Sequence, residues 1–280
     1  MPKHVSPTRT LMALGLALAL SALAGPVAAG DGPPPGTIDP VTIPKYQVPL
    51  FIPPAMPQAG VLPGPVDYYE IAVRQFEQQI LPPGFPKTKV WGYGAPGVPG
   101  SFHAPSATLE TTANRPVRVK WINDLKDQVT GEFQPHLLDV VQHVMWANPG
   151  MDCADGIPRT DCMGMGHGSY TGPVPLVVHL HGTHSGPESD GFPEAWYLPN
   201  ATDIPSGFAT VGSDFEQFDP SNTTPGSAVF QYPNDQRATA LWYHDHTLGI
   251  TRLNTYTGLA GFYMIRGGSS DTAAGVLPGP

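Results

Sequence analysis

Two short stretches concentrate imidazoles in a histidine-poor chain. Only 10 histidines occur in 280 residues. Yet "VVHLHGTHSG" carries His179 and His181, and "LWYHDHTLG" carries His244 and His246. Imidazole nitrogen is the usual nitrogen donor to zinc, copper and iron. In an extended strand, side chains i and i+2 leave from one face, about 6–7 Å apart. Each pair therefore presents two donors in one direction. A single His-x-His is a weak signal. Two of them, each at the end of a strand-like run beside bulky apolar residues, point to a metal centre built from both. Asp245 faces the other way and is not expected to be a ligand.

Two other metal sites are conceivable. A single His-x-His grips one zinc or iron in cupins, which place a glutamate shortly after the second histidine. Here Glu188 lies too far beyond His181, and "YHDH" would be left unused. A second possibility is a copper thiolate in "CMGMGH", where Cys162, Met163, Met165 and His167 are soft or borderline ligands. The bland reading of the same segment is structural. Cys153 and Cys162 are the two cysteines of the chain, they close a short loop, and an oxidising compartment favours a disulfide between them.

Short strands must position the histidines. Tyr69, Ile71 and Val73 alternate with polar residues, as do Val117, Val119 and Trp121. "VPLVVHLHG", "ATALWYHDH" and "GLAGFYMIRGG" supply three further strands. With 35 prolines and 32 glycines the chain is unsuited to a helical bundle. Strands parted by Gly/Pro-rich loops predict an all-β antiparallel sandwich.

The N-terminus has the form of an export signal: Lys3 and Arg9, an apolar run from Leu11 to Leu23, then small residues suited to cleavage after Ala29. The apolar run is too short to span a membrane. The expected organisation is a signal peptide over 1–29, a Pro/Gly-rich extended arm over 30–66 and a sandwich over 67–267. An irregular insertion is expected at 124–172 and a disordered tail at 268–280. An exported protein, periplasmic or extracellular, follows. The net charge of −9 and charged content of 13% make nucleic acid and anionic membrane poor partners. "NAT" at Asn200 and "NTT" at Asn222 are glycosylation sequons, useful only in a host that glycosylates.

"HLHG" followed by "WYHDH" resembles the first two copper-binding motifs of the multicopper oxidases, in particular the bacterial laccases and bilirubin-oxidase-like enzymes. "VWGYGAPGVPG", "RPVRVKWINDL", "SDGFPEAWY" and "YPNDQRATALWYHDHTLGITRLNTYTGLAGFYMIR" follow that subgroup in order and spacing. The resemblance runs from about Tyr69 to Arg266. It implies a cupredoxin-like Greek-key β-sandwich, the first domain of such enzymes. It also implies a copper role for each histidine: His179 on type 2 copper, His181 and His244 on one type 3 copper, His246 on the other. Asp190, in "SDG", matches an acidic position used for proton supply to bound dioxygen; its plainer role is a turn former before Gly191. His184 has no counterpart among the ligands and is expected in a loop. The family completes its trinuclear cluster with His-x-x-His-x-His and His-Cys-His motifs, and neither occurs here. Cys153 sits between Asp152 and Ala154, and Cys162 between Asp161 and Met163, so neither forms a type 1 copper site. The expectation is therefore the N-terminal domain of an oxidase that uses dioxygen and a small reducing substrate. The other readings are a stand-alone copper-binding domain and a half-enzyme complemented in trans.

Overall fold

The computed structural model describes residues 37–140 and 170–268. The segment expected as a signal peptide, the loop with Cys153, Cys162, Met163, Met165 and His167, and the tail from 269 onward lie outside the described residues. Residues 37–49 belong to a separate unit. Among its described residues the regular feature is a 3-10 turn, Pro40–Thr42, where the Asp39 side chain accepts the Val41 N–H at 3.0 Å.

The other described residues form a two-sheet β-sandwich with nine strands among them: β1 (Gly60–Leu62), β2 (Val66–Gln78), β3 (Thr88–Gly94), β4 (Ser106–Thr112), β5 (Val117–Asn123), β6 (Val178–His181), β7 (Ser227–Tyr232), β8 (Thr239–Asp245) and β9 (Ala260–Arg266). Two short helices interrupt them, α1 (Pro187–Asp190) and α2 (Thr251–Tyr256). One sheet runs β1-β2-β5-β7, with β3 also on β2; the other runs β4-β9-β8-β6. All five segments predicted as strands are strands. The sandwich also takes in residues that composition groups with the arm: Met56 donates to the Thr108 carbonyl at 2.7 Å, and β1 pairs with the start of β2.

One expectation needs correction. The sandwich is not purely antiparallel, because β2 pairs with β5 and β4 with β9 in parallel. The residue alternation that marks a strand carries no information about the direction of its neighbour. Here the parallel partners are separated by other strands, as a Greek-key path requires, and tertiary packing sets their direction.

The core follows from strand alternation. Val117, Val119 and Trp121 of β5 point inward and are at most 1% exposed. Tyr93, Trp121 and Tyr243 meet between the sheets with ring centroids 5.1–5.6 Å apart. The buried Tyr243 hydroxyl donates to the Ala107 carbonyl at 2.6 Å, and the Trp121 indole N–H to the Tyr232 hydroxyl at 3.1 Å. Each such ring contributes about 1.5–3 kcal/mol by burial. Together they lock β8, which carries one histidine pair, against the opposite sheet.

Candidate metal centre

β6 and β8 are neighbours in one sheet, and their register brings the two histidine pairs together. His179 lies opposite His244, and His181 opposite Trp242. Val178, Leu180 and Tyr243, at 0–2% exposure, plug the inner face. Period-2 alternation then sends His179, His181, Trp242 and His244 to the outer face. His246 follows the end of β8, and its backbone N–H donates to the Val177 carbonyl at 2.8 Å. Ring centroids between the two pairs are 4.9 Å (His179–His246), 5.6 Å (His179–His244) and 5.8 Å (His181–His244). The donor atoms of His179, His181 and His244 lie within 4.8 Å of one another.

The backbone fixes the tautomers. A carbonyl oxygen only accepts, so a ring nitrogen in contact with one must carry hydrogen. His179 Nδ1 donates to the Asp190 carbonyl at 2.6 Å, His244 Nδ1 to the Asp245 carbonyl at 2.7 Å, and His246 Nδ1 to the Gly191 carbonyl at 3.2 Å. In all three rings the lone pair is left on Nε2, the arrangement seen where a second hydrogen bond orients a metal-binding imidazole. His244 Nε2 is buried and has no hydrogen-bond partner. Burial, aided by the neighbouring imidazoles, pulls the His244 pKa down to about 4. Burial and His179 also lower that of His246. Both rings are therefore neutral at pH 7, with lone pairs available.

Asp190 ends α1, and Gly191 caps it in the left-handed region at φ 75°. A side chain at 191 is excluded, because a Cβ would stand 2.0 Å from the Val178 carbonyl oxygen. Gly191 therefore lets the loop close onto β6 and present two carbonyls in succession to His179 and His246. The Asp190 carboxylate is 3.8 Å from His179 Nδ1 and its side chain is 32% exposed. His184 is exposed and pairs with Asp235 at 3.0 Å, away from the ligand set.

Sequence reasoning missed three contributions. Trp242 stacks on His244 at 4.1 Å and on His181 at 5.4 Å, walling one side of the cluster. Its position in "WYHDH" was visible, but the stack depends on the β6–β8 register. The Asp190 and Gly191 carbonyls left no side-chain signal at all. The third is Asp245. It turns away from the cluster, as strand alternation predicts, and is 0% exposed. Its carboxylate accepts from Val177 N at 3.2 Å, Thr247 N at 3.1 Å, Thr247 Oγ1 at 2.9 Å and Asn254 Nδ2 at 2.9 Å. Burial raises its pKa to about 7 even against these four hydrogen bonds.

Among the described residues no helix is long and apolar enough to cross a membrane. No family model matches the chain. Curated relatives do. A laccase of Bacillus stratosphericus is 36% identical over 202 residues, 71% of this chain and 29% of the relative. A laccase of Haloferax volcanii is 36% identical over 227 residues, 80% of this chain and 31% of the relative. Multicopper oxidase LPR1 homolog 1 of Oryza sativa subsp. japonica is 32% identical over 191 residues, 68% of this chain and 25% of the relative. The chain thus spans about a third or less of the length of the relatives it matches. Relatives this similar cover two thirds or more of the chain. The chain belongs to the multicopper oxidase family.

Proposed function

We propose that the four histidines form half of a trinuclear copper cluster in a laccase-like multicopper oxidase domain. One observation carries this reading: imidazoles from two strands in mutual contact, three with Nδ1 spent on a backbone carbonyl, and His244 with a buried, unpartnered Nε2. A buried ring nitrogen without a partner is costly unless an electrophile meets it. Neutral imidazoles in a tight group are a donor set that copper accepts, so the residues fit the metal. In the family's arrangement His179 would hold type 2 copper, His181 and His244 one type 3 copper, and His246 the other. Copper there supplies one-electron redox chemistry and a place for dioxygen to be reduced to water.

The chain's own part is to hold and to exclude. The Asp190 and Gly191 carbonyls orient His179 and His246, burial keeps His244 and His246 unprotonated, and the Trp242 ring shields one side from water. The Asp190 carboxylate, about one-third exposed beside His179, is assigned proton delivery to the cluster. Phenols, aryl amines, bilirubin-like pigments or metal ions would be the reducing substrates of the whole enzyme. The export signal over 1–29 suits a periplasmic or extracellular setting. A second reading, a stand-alone domain that binds one copper without catalysis, is favoured by the 4.8 Å convergence of His179, His181 and His244 donors.

The test is a copper(II) titration of the purified chain, followed by calorimetry and electron paramagnetic resonance. The reading expects nitrogen-coordinated copper whose affinity drops at least about tenfold in His179→Ala and His244→Ala. Unchanged affinity in both variants would move the metal elsewhere. Adding a chain that carries the His-Cys-His motif separates the two readings: dioxygen uptake with a phenol supports the half-cluster, and none supports the stand-alone domain.

A further inference from the structure

Asp245 lies between two proposed ligands in sequence but turns its carboxylate into the protein, where a polar chain begins. Asn254 of α2 is 0% exposed. Its amide Nδ2 donates to Asp245 Oδ1 at 2.9 Å and to the Pro175 carbonyl at 3.3 Å. Its Oδ1 is thereby left to accept, and the group within reach is His136 Nε2 at 3.1 Å. The Asn254 oxygen accepts only, so His136 Nε2 carries hydrogen toward it, while His136 Nδ1 lies 2.9 Å from the Leu138 N–H and 3.1 Å from the Leu138 carbonyl oxygen. Trp91 packs edge-on against the same ring, with centroids 4.7 Å apart. The Asn254 amide has one orientation that serves Asp245, the Pro175 carbonyl and His136 together.

The far end of the chain reaches both histidine-bearing strands. The Asp245 carboxylate takes the Val177 N–H at 3.2 Å, while the Val177 carbonyl takes the His246 N–H at 2.8 Å. Val177 is the residue before β6, which carries His179 and His181. Thr247 hydrogen-bonds the same carboxylate from the other side of His246. Asp245 thus ties the residue before β6 to the residue after His246, and Asn254, itself in contact with His136, is one of the groups that hold its carboxylate.

We propose that His136 and Asn254, acting through Asp245, are positioning residues for the His244–His246 pair. The proposal rests on the reading of His244 and His246 as copper ligands. It also gives a role to the irregular segment after β5, which through His136 becomes a brace for the metal centre. A group this far from the ligands touches neither metal nor substrate. Its effect is on ring orientation, the property that outer hydrogen bonds of metal-binding histidines control.

The experiment compares His136→Phe with His136→Gln in the full chain. Phenylalanine keeps the packing on Trp91 but removes the donor. Glutamine returns an N–H close to where histidine Nε2 stands. Long-range nitrogen NMR of the metal-free protein reports the ring tautomers, and copper(II) titration reports affinity and the paramagnetic spectrum. In His136→Phe, His244 and His246 should lose their single Nδ1–H tautomer and copper affinity should fall about tenfold; His136→Gln should restore both. A purely structural role would lower thermal stability while leaving tautomers and copper spectrum unchanged, and that result overturns the proposal. If the unaltered chain binds no copper, the ligand reading fails, and the tautomer measurement still decides whether His136 positions the rings. Should His136→Phe not fold, His136→Asn, whose amide is too short to reach Asn254, carries the same expectations.

Discussion

Replacing Gly191 by alanine tests how far the metal centre depends on backbone. Gly191 sits at φ 75°, where an L-residue with a Cβ costs about 1–2 kcal/mol. The added Cβ would also lie 2.0 Å from the Val178 carbonyl oxygen and 2.7 Å from its carbon. Relief requires a displacement of roughly 1 Å, since a non-bonded carbon and oxygen are in contact at more than about 3 Å. Either the 186–192 loop or β6 at Val178 must move, and both moves reach a ligand. The His246 Nδ1 to Gly191 carbonyl bond is 3.2 Å long and does not survive stretching by that amount. The His179 bond to the Asp190 carbonyl, at 2.6 Å, is strained with it. Adding about 0.5–1.5 kcal/mol for each of the two weakened bonds gives a total loss of about 2–5 kcal/mol. Gly207→Ala is the control, because Gly207 has φ +90° with nothing within 4 Å of its ideal Cβ. It carries the conformational strain alone. Thermal unfolding of the metal-free proteins should separate the two variants by about 1–3 kcal/mol, or roughly 2–12 °C in a domain of this size. Copper(II) affinity should fall at least about tenfold in Gly191→Ala and stay unchanged in Gly207→Ala. Equal melting temperatures and equal copper affinities would refute the claim that Gly191 sets the geometry of the histidines.

The other expectations concern pH, activity and the cysteine loop. Burial lowers the His136 pKa, so the unfolded chain takes up a proton near pH 6.5 that the folded chain refuses. The neutral ring's stabilisation is present above pH 6.5 and is lost as pH falls toward the lowered folded pKa. Denaturant unfolding from pH 7 to 5 should show a slope shallower by up to about 1.4 kcal/mol per pH unit in His136→Phe; identical slopes would show that His136 does not titrate differently on folding. Loaded with copper, this chain alone should show no intense band near ~600 nm and no catalytic oxidation of a phenol, because neither cysteine has histidine neighbours. A blue protein consuming dioxygen would overturn the ligand count. Exported protein should yield no free thiol when denatured without reductant, the Cys153–Cys162 bridge adding about 2–3 kcal/mol. Labelling of two thiols per chain would show that the bridge does not form.

The sequence by itself determined the faces of the strands. In "VVHLHG" and "LWYHDH" the period of two sends histidines one way and Val178, Leu180 and Tyr243 the other, and it turns Asp245 from the cluster into the core. The "SDG" turn was legible too, since a glycine after Asp190 is what a left-handed cap requires. Each of these is a local property of a few consecutive residues. Tertiary structure alone decided which strands are neighbours, that β2–β5 and β4–β9 run parallel, and that His179 stands opposite His244. It also decided that backbone carbonyls of residues 190 and 191 select the ring tautomers, and that His136 reaches Asp245 through Asn254 across a sequence gap of more than a hundred residues. Side-chain periodicity reports only which way a residue points along its own strand. Register, strand direction and carbonyl placement come from burying the aromatic core between two sheets, and no short stretch of sequence encodes that distance.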